Sequence, residues 1–428
     1  MNCIANTRFL TVVALITCAG CSSPAMESVS GGDPLAYSIR YQLTPVPEQN
    51  SIEVSMFVRQ SRDLLRELRF QRGPQISNIR IDGESIDAVD DITWRPSATG
   101  GTLQWTVALN HKRNGDGYDA WLEDDWGIFR AEDVIPRAAT RVIKGAHSKT
   151  TMQFDLPQNW AVITPYAADN HTYNIDKPQR NFDQPSGWIA IGRLGVRRET
   201  IAGMRVAIAG PVGHSVRRMD TLALLSWTLP ELSRALGELP ARITIISAGA
   251  PMWRGGLSGP QSLFLHADRP LISENSTSTL LHEVMHSTLR LSAATGYDWL
   301  VEGIAEYYSI ELLRRSGSIS EARFQKAMQF QSEWSESAKR LCQASSSGAA
   351  TALAVTILSA LDAEIRDRSS DVASLDDVLQ ALQQENTDIS LADVQTIAEN
   401  LSGAESDVLQ LDKLPGCRSI ESNSKDTN

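Results

Sequence analysis

The chain has 428 residues, a formal charge of −11 and a pI near 5.2. An acidic chain with no basic block is a poor match for a phosphate backbone, so nucleic acid is not an expected partner. The length suits two or three domains, and 42% hydrophobic residues with 6% aromatics is an ordinary composition for a chain that folds around buried cores.

In chain order, Arg8 precedes an apolar run over residues 9–16, which is too short for a permanent membrane helix and predicts a signal peptide over residues 1–20. Ala19 and Gly20 stand directly before Cys21 and look like a bacterial lipobox, with Cys18 where leucine is usual. Cys21 is then the lipidated first residue of the mature chain, anchored to a membrane by its acyl groups. Ser22 after it resembles outer-membrane sorting. The expected location is the cell envelope, as an outer-membrane lipoprotein facing the periplasm. Residues 21–36 read as a polar tether.

Period-two patterning over 37–43, 51–58, 79–81, 102–109 and 151–156 predicts an antiparallel β-domain over 37–157. Strands are then expected at 188–192, 204–209 and 241–246, with a helix over 219–236. The glycine-rich stretch 251–265 contains Gly255, Gly256, Leu257 and Ser258. It is expected to supply an edge strand along which a substrate backbone pairs; a plain glycine-rich hairpin is the simpler reading.

The most informative stretch follows. His282-Glu283-x-x-His286 puts two imidazoles four residues apart, on one face of a helix, where both reach one ion. With only 7 histidines in the chain, the spacing arises by chance in about one such chain in a hundred. Glu283 sits about 100° round the helix, where a general base must stand to take a proton from a water beside the ion. Leu280, Leu281, Val284, Met285 and Leu289 make the helix apolar and buried, and buried polar groups need a partner such as a metal. No histidine follows His286, which removes a pattern with a third histidine downstream and leaves a carboxylate from a second helix as the candidate third ligand. Asp298 is expected to cap a second helix over 299–315 that returns Glu302 and Glu306 beside the histidines. Geometry alone does not choose between those two.

Trp299-Leu-Val-Glu302-Gly-Ile-Ala-Glu306-Tyr-Tyr308 resembles the W-L-x-E-G-x-A-x-Y helix of the gluzincin metallopeptidases. It is most similar to the glycyl aminopeptidase-like family, here without a PDZ module, and more distantly to the aminopeptidase N family. The resemblance implies an α+β multidomain fold: an N-terminal antiparallel β-sandwich, a thermolysin-like catalytic domain over 158–316 and a helical domain over 317–416, followed by a tail over 417–428. It implies one zinc ion on His282, His286 and Glu302, with Glu306 orienting a ligating histidine, and peptides or proteins as substrates. Glu283 would take a water proton and deliver it to the leaving amine. Oligomeric state is not legible.

Helical patterns at 321–342, 348–368, 374–385 and 391–401 close the chain. Cys342 and Cys417 form an even pair in an oxidising compartment, so a disulfide stands at even odds with two buried thiols. Two departures from the relatives stand out. Their oxyanion-stabilising tyrosine maps onto the stretch 344–348, which holds none, and no tyrosine follows Tyr308. Tyr166, His171 and Tyr173 are the candidate replacements. The acid that holds a substrate's free amine is replaced by Ser258. Internal cleavage is therefore open, as is a zinc-bound, catalytically weak lipoprotein that binds peptides or partners.

Overall fold

The computed structural model describes residues 33–71, 73, 75–86, 91–113, 117–175, 182–384 and 388–418. Cys21, the signal segment and most of the tether lie outside the described residues, as does most of the tail. Among the described residues, no helix is long and apolar enough to cross a membrane.

The N-terminal part is sheet. An eight-stranded sheet runs in the order Ala168–Asp169, Thr172–Ile175, His147–Phe154, Ala36–Val46, Ser51–Arg59, Gly100–Ala108, Ile76–Ile81, Glu84–Ser85. Alternation sets its buried face: Ile39, Tyr41 and Leu43 stand opposite Val58, Met56 and Val54, and all six are buried. The sheet is not wholly antiparallel, because Ala36–Val46 pairs parallel with His147–Phe154. A parallel pair needs a crossover, and here the intervening chain builds other strands before returning. A three-stranded sheet of Ala138–Val142, Leu65–Phe70 and Ile92–Trp94 packs into the same core through Leu65, Leu68, Phe70 and Trp94. A single helical turn, α1 (Ala131–Val134), follows Trp126–Arg130.

Trp188–Gly192 does not join the strands at 204–211 and 242–248, as its pattern suggested. It pairs with Trp126–Arg130 and Ala161–Ile163 in a five-stranded sheet. Every residue of it is buried: Ile189 and Ile191 enter the N-terminal core, while Trp188 and Ala190 pack with Ile246 and Phe264 of the next sheet. The strand is the seam between the two halves of the molecule.

The second half is a five-stranded sheet with helices on one face. Its order is Leu194–Ile201, Met204–Pro211, Arg242–Ala248, Ser262–His266, Gly256–Gly259, with the three middle strands parallel. Helix α2 (Arg218–Leu236) makes the first crossover. Helices α3 (Thr279–Leu289) and α4 (Asp298–Arg315) follow the last strands. Val206, Ile208, Ile243, Ile245, Leu263 and Leu265 form the floor on which these helices pack. Helices α5 (Glu321–Ser335), α6 (Ala349–Ser369), α7 (Leu375–Leu382) and α8 (Leu391–Ser402) join that same core, so the five-stranded sheet, α2 to α4 and the C-terminal helices are one packed unit. Gly303 lets α6 close on α4: a Cβ there would lie 2.5 Å from that of Ala354. Helix α5 ends at Ser335 instead of running to Cys342, because Cys342 turns away to bond Cys417 (S–S 1.94 Å) and Leu341 N–H donates to the Pro415 carbonyl at 2.8 Å.

Candidate metal centre

Helix α3 starts where Ser278 accepts a hydrogen bond from the Leu281 amide at 3.3 Å, a normal serine cap. It ends at Arg290, whose left-handed backbone (φ 55°) stops the turn. Its apolar side faces the sheet, leaving His282 and His286 on the side towards α4. The turn at 294–297 reverses the chain, and α4 begins at Asp298. Asp298 is not the cap; Tyr297 holds that position without a side-chain bond. The Asp298 carboxylate instead accepts from the Ser346 amide at 2.6 Å, tying the 344–348 loop to the start of α4.

The two helices bring His282, His286 and Glu302 to one point. Their ligand atoms all lie within 4.8 Å of one another. The two Nε2 atoms are 3.0 Å apart, and the Glu302 oxygens lie 3.4 Å from Nε2 of His282 and 3.5 Å from Nε2 of His286. Glu306, one turn further along α4, does not enter this cluster. It accepts a hydrogen bond from Nδ1 of His282 at 3.0 Å, which commits that nitrogen and turns Nε2 inward. The structure thus separates the two glutamates that spacing could not.

Electrostatics agree with a site made for a cation. Burial opposes a charge on His282, but hydrogen bonds to Glu302 and Glu306 outweigh it and raise its pKa to about 10. His286 is pushed down to about 4, by burial first and then by the charge on His282. Burial works against the Glu302 carboxylate too, yet the His282 hydrogen bond and both imidazoles hold it below the usual range. Positive charge at this point, such as a proton on His282, is thus favoured by the carboxylates around it. A divalent ion replaces such a proton, and the two imidazoles and one carboxylate fit the donor set of a catalytic zinc site with an open position.

Glu283 lies 8% exposed beside the edge strand. Burial raises its pKa, while His282 and hydrogen bonds from the Ser258 hydroxyl and backbone lower it. Gly256 is what allows this approach: a Cβ there would sit 2.7 Å from Cγ of Glu283 and 2.9 Å from its Oε1. Gly256–Gly259 is indeed the sheet edge, antiparallel to Ser262–His266. Gly255 lies just before it, and Leu257 is half-buried within it. Gly256→Ala is expected to displace the Glu283 carboxylate and lower cleavage about 100-fold. A thermal melt of the same variant should fall by several degrees at most, since the added methyl meets the flexible Glu283 side chain but also lies 2.7 Å from Cγ2 of Thr279, a stiff β-branched side chain at the start of α3.

Gln331 of α5 is a site residue that the sequence signalled only faintly. It donates to Glu306 at 3.4 Å and is 2% exposed. The clue is its position: with Phe324, Ala327 and Met328 it completes an apolar helical stripe in which glutamine is out of place. The candidate replacements for the missing tyrosine are elsewhere. The Tyr166 hydroxyl is bonded to the Ser186 backbone, Tyr173 packs edge-on against Phe154, and His171 sits exposed in a turn. Tyr166 and Tyr173 line a cavity that contains none of the cluster residues. Ser345, in the loop where the relatives' tyrosine falls, is exposed.

No protein-family model and no curated protein sequence matches the chain. Solved structures do. An aminopeptidase N family protein from Idiomarina loihiensis superposes with a TM-score of 0.60 at 18% identity, over 81% of this chain and 70% of that one. An M1 zinc metallopeptidase from Deinococcus radiodurans gives 0.52 at 16% identity, over 88% and 91%. The fold is that of the M1 zinc metallopeptidases. A variant of the Deinococcus protein was solved with a Tyr-Ser-Ala substrate at the same TM-score and identity. At such identities the likeness speaks for the fold, and the chemistry rests on this chain's own residues.

Proposed function

We propose that this chain is a zinc-dependent metallopeptidase of the gluzincin type, with the M1 fold's thermolysin-like arrangement and closest in its motifs to the glycyl aminopeptidase-like group. The observation that carries the reading is the convergence of His282, His286 and Glu302 on one point, with Glu283 held against the sheet edge beside them. A zinc ion held there supplies Lewis acidity to a water and to the scissile carbonyl. Glu283 accepts the water proton and passes it to the departing amine. Glu306 fixes the tautomer of His282, and Gln331 steadies Glu306. The free edge at Gly256–Gly259 receives the peptide backbone as an added strand. Ser258 is engaged with Glu283 and carries no charge for a substrate's terminal amine, which favours cleavage inside a chain over removal of the first residue.

The loop at 344–348, which has no tyrosine and in which Ser345 is exposed and Ser346 buried, favours a second reading, a zinc-bound protein that holds peptides and cleaves them poorly, because loss of an oxyanion donor costs about two to three orders of magnitude in rate. The lipidated Cys21 and the envelope location belong to the same proposal. A soluble form starting near Asp33, incubated with a peptide library with and without chelator, separates the readings. Chelator-sensitive cleavage supports the first. Stoichiometric zinc without cleavage overturns it in favour of the second.

A further inference from the structure

A cavity of about 530 Å3 opens between the chain around 162–173 and the start of the sheet that carries the candidate centre. Strand register explains its chemistry. Arg205 stands directly opposite Arg242 on the neighbouring parallel strand, and opposite Thr200 on the other side. Arg198, two residues before Thr200, projects from the same face. That face looks towards the N-terminal sheets: Thr244, two residues after Arg242, donates to the Thr164 carbonyl across the layers at 3.3 Å. Three guanidinium groups therefore line one cleft, with Tyr166 and Tyr173 on the facing wall.

Like charges directly opposite each other weaken a strand pair. Yet among the described residues none of the three arginines has an ion-pair partner. The acidic residue in the lining, Glu199, accepts a hydrogen bond from the Thr200 amide at 3.2 Å. Arg242 is held below its ordinary pKa by burial first and then by the charge of Arg205. A concave site that gathers unpaired arginines in a chain of net charge −11 is arranged against its own electrostatic background.

We infer that this cleft binds a multiply charged oxyanion, a phosphate-bearing ligand gripped by Arg198, Arg205 and Arg242. Guanidinium forks match phosphate oxygens two at a time, and the bound anion cancels the repulsion between the opposed arginines. The site shares no residue with the candidate metal centre, so its test needs no peptide cleavage.

The test uses the full chain, titrated with inorganic pyrophosphate by calorimetry and sedimented with phosphatidate vesicles against phosphatidylcholine vesicles. Saturable binding at one site per chain is expected. In Arg205→Gln/Arg242→Gln it should weaken at least about 10-fold. Without ligand, that double variant should melt at or above the parent temperature, because the opposed charges are gone. Should it melt lower, Arg198→Gln, on an exposed side chain, carries the binding comparison. Pyrophosphate binding without vesicle association marks a free anion as the ligand. Association with phosphatidate vesicles that pyrophosphate displaces marks a lipid headgroup. Absence of saturable binding to either probe, or binding undiminished in the variants, overturns the assignment.

Discussion

Replacing Glu283 by Gln is expected to lower peptide cleavage by about three orders of magnitude while zinc stays bound. The substitution keeps the shape of the side chain and removes only its capacity to take a proton. Glu283 is outside the trio of groups that converge on one point, so metal content should not change. Its surroundings support the assignment: it is buried, pressed against Gly256 and hydrogen-bonded by Ser258 at the sheet edge where a peptide would lie. Cleavage within about 10-fold of the parent would remove Glu283 from the mechanism and return the second, binding-only reading to first place.

The largest stability effect is expected at the opposite end of the C-terminal unit. Cys342 and Cys417 close a loop of 75 residues that contains α6, α7 and α8. Cross-linking a loop of that length restricts the unfolded chain by about 4 kcal/mol. Cys342→Ser/Cys417→Ser should therefore lower the melting midpoint by about 5 °C, and a reducing agent should do the same to the parent chain. Both cysteines are buried, so the serines also leave hydroxyls in an apolar setting. A midpoint unchanged by reductant would mean that the bond contributes nothing to holding the C-terminal segment on the helices.

Local patterns carried the helices and the cluster. The four-residue spacing of His282 and His286, the polar break in an apolar helix and the short turn before α4 are nearest-neighbour information, and each is visible in a window of a few residues. Partner choice among strands is different. Ala36–Val46 alternates cleanly, but nothing local says that one neighbour is parallel and about a hundred residues away. Trp126–Arg130 and Trp188–Gly192 are almost wholly buried, so they show no alternation, and their pairing with each other depends on contacts far apart in the chain. Leu65–Phe70 and Ala138–Val142, antiparallel partners that show some alternation, carry a weak strand signal because charged and small residues interrupt their pattern. At the centre itself, the choice between Glu302 and Glu306 turns on the direction of two side chains on one helix: Glu302 lies near both Nε2 atoms, Glu306 near Nδ1 of His282. The bond between Ser258 and Glu283 had no sequence signal, since it joins a sheet edge to a helix.

The most direct test of the whole account is the zinc content of the purified chain, measured by mass spectrometry on the parent and on His286→Ala, Glu302→Ala and Glu283→Gln. One ion per chain in the parent and in Glu283→Gln, with loss of most of it in the other two, is the predicted result. A parent that takes up no zinc, or variants at His286 and Glu302 that retain it in full, would contradict the claim that these side chains form a metal centre.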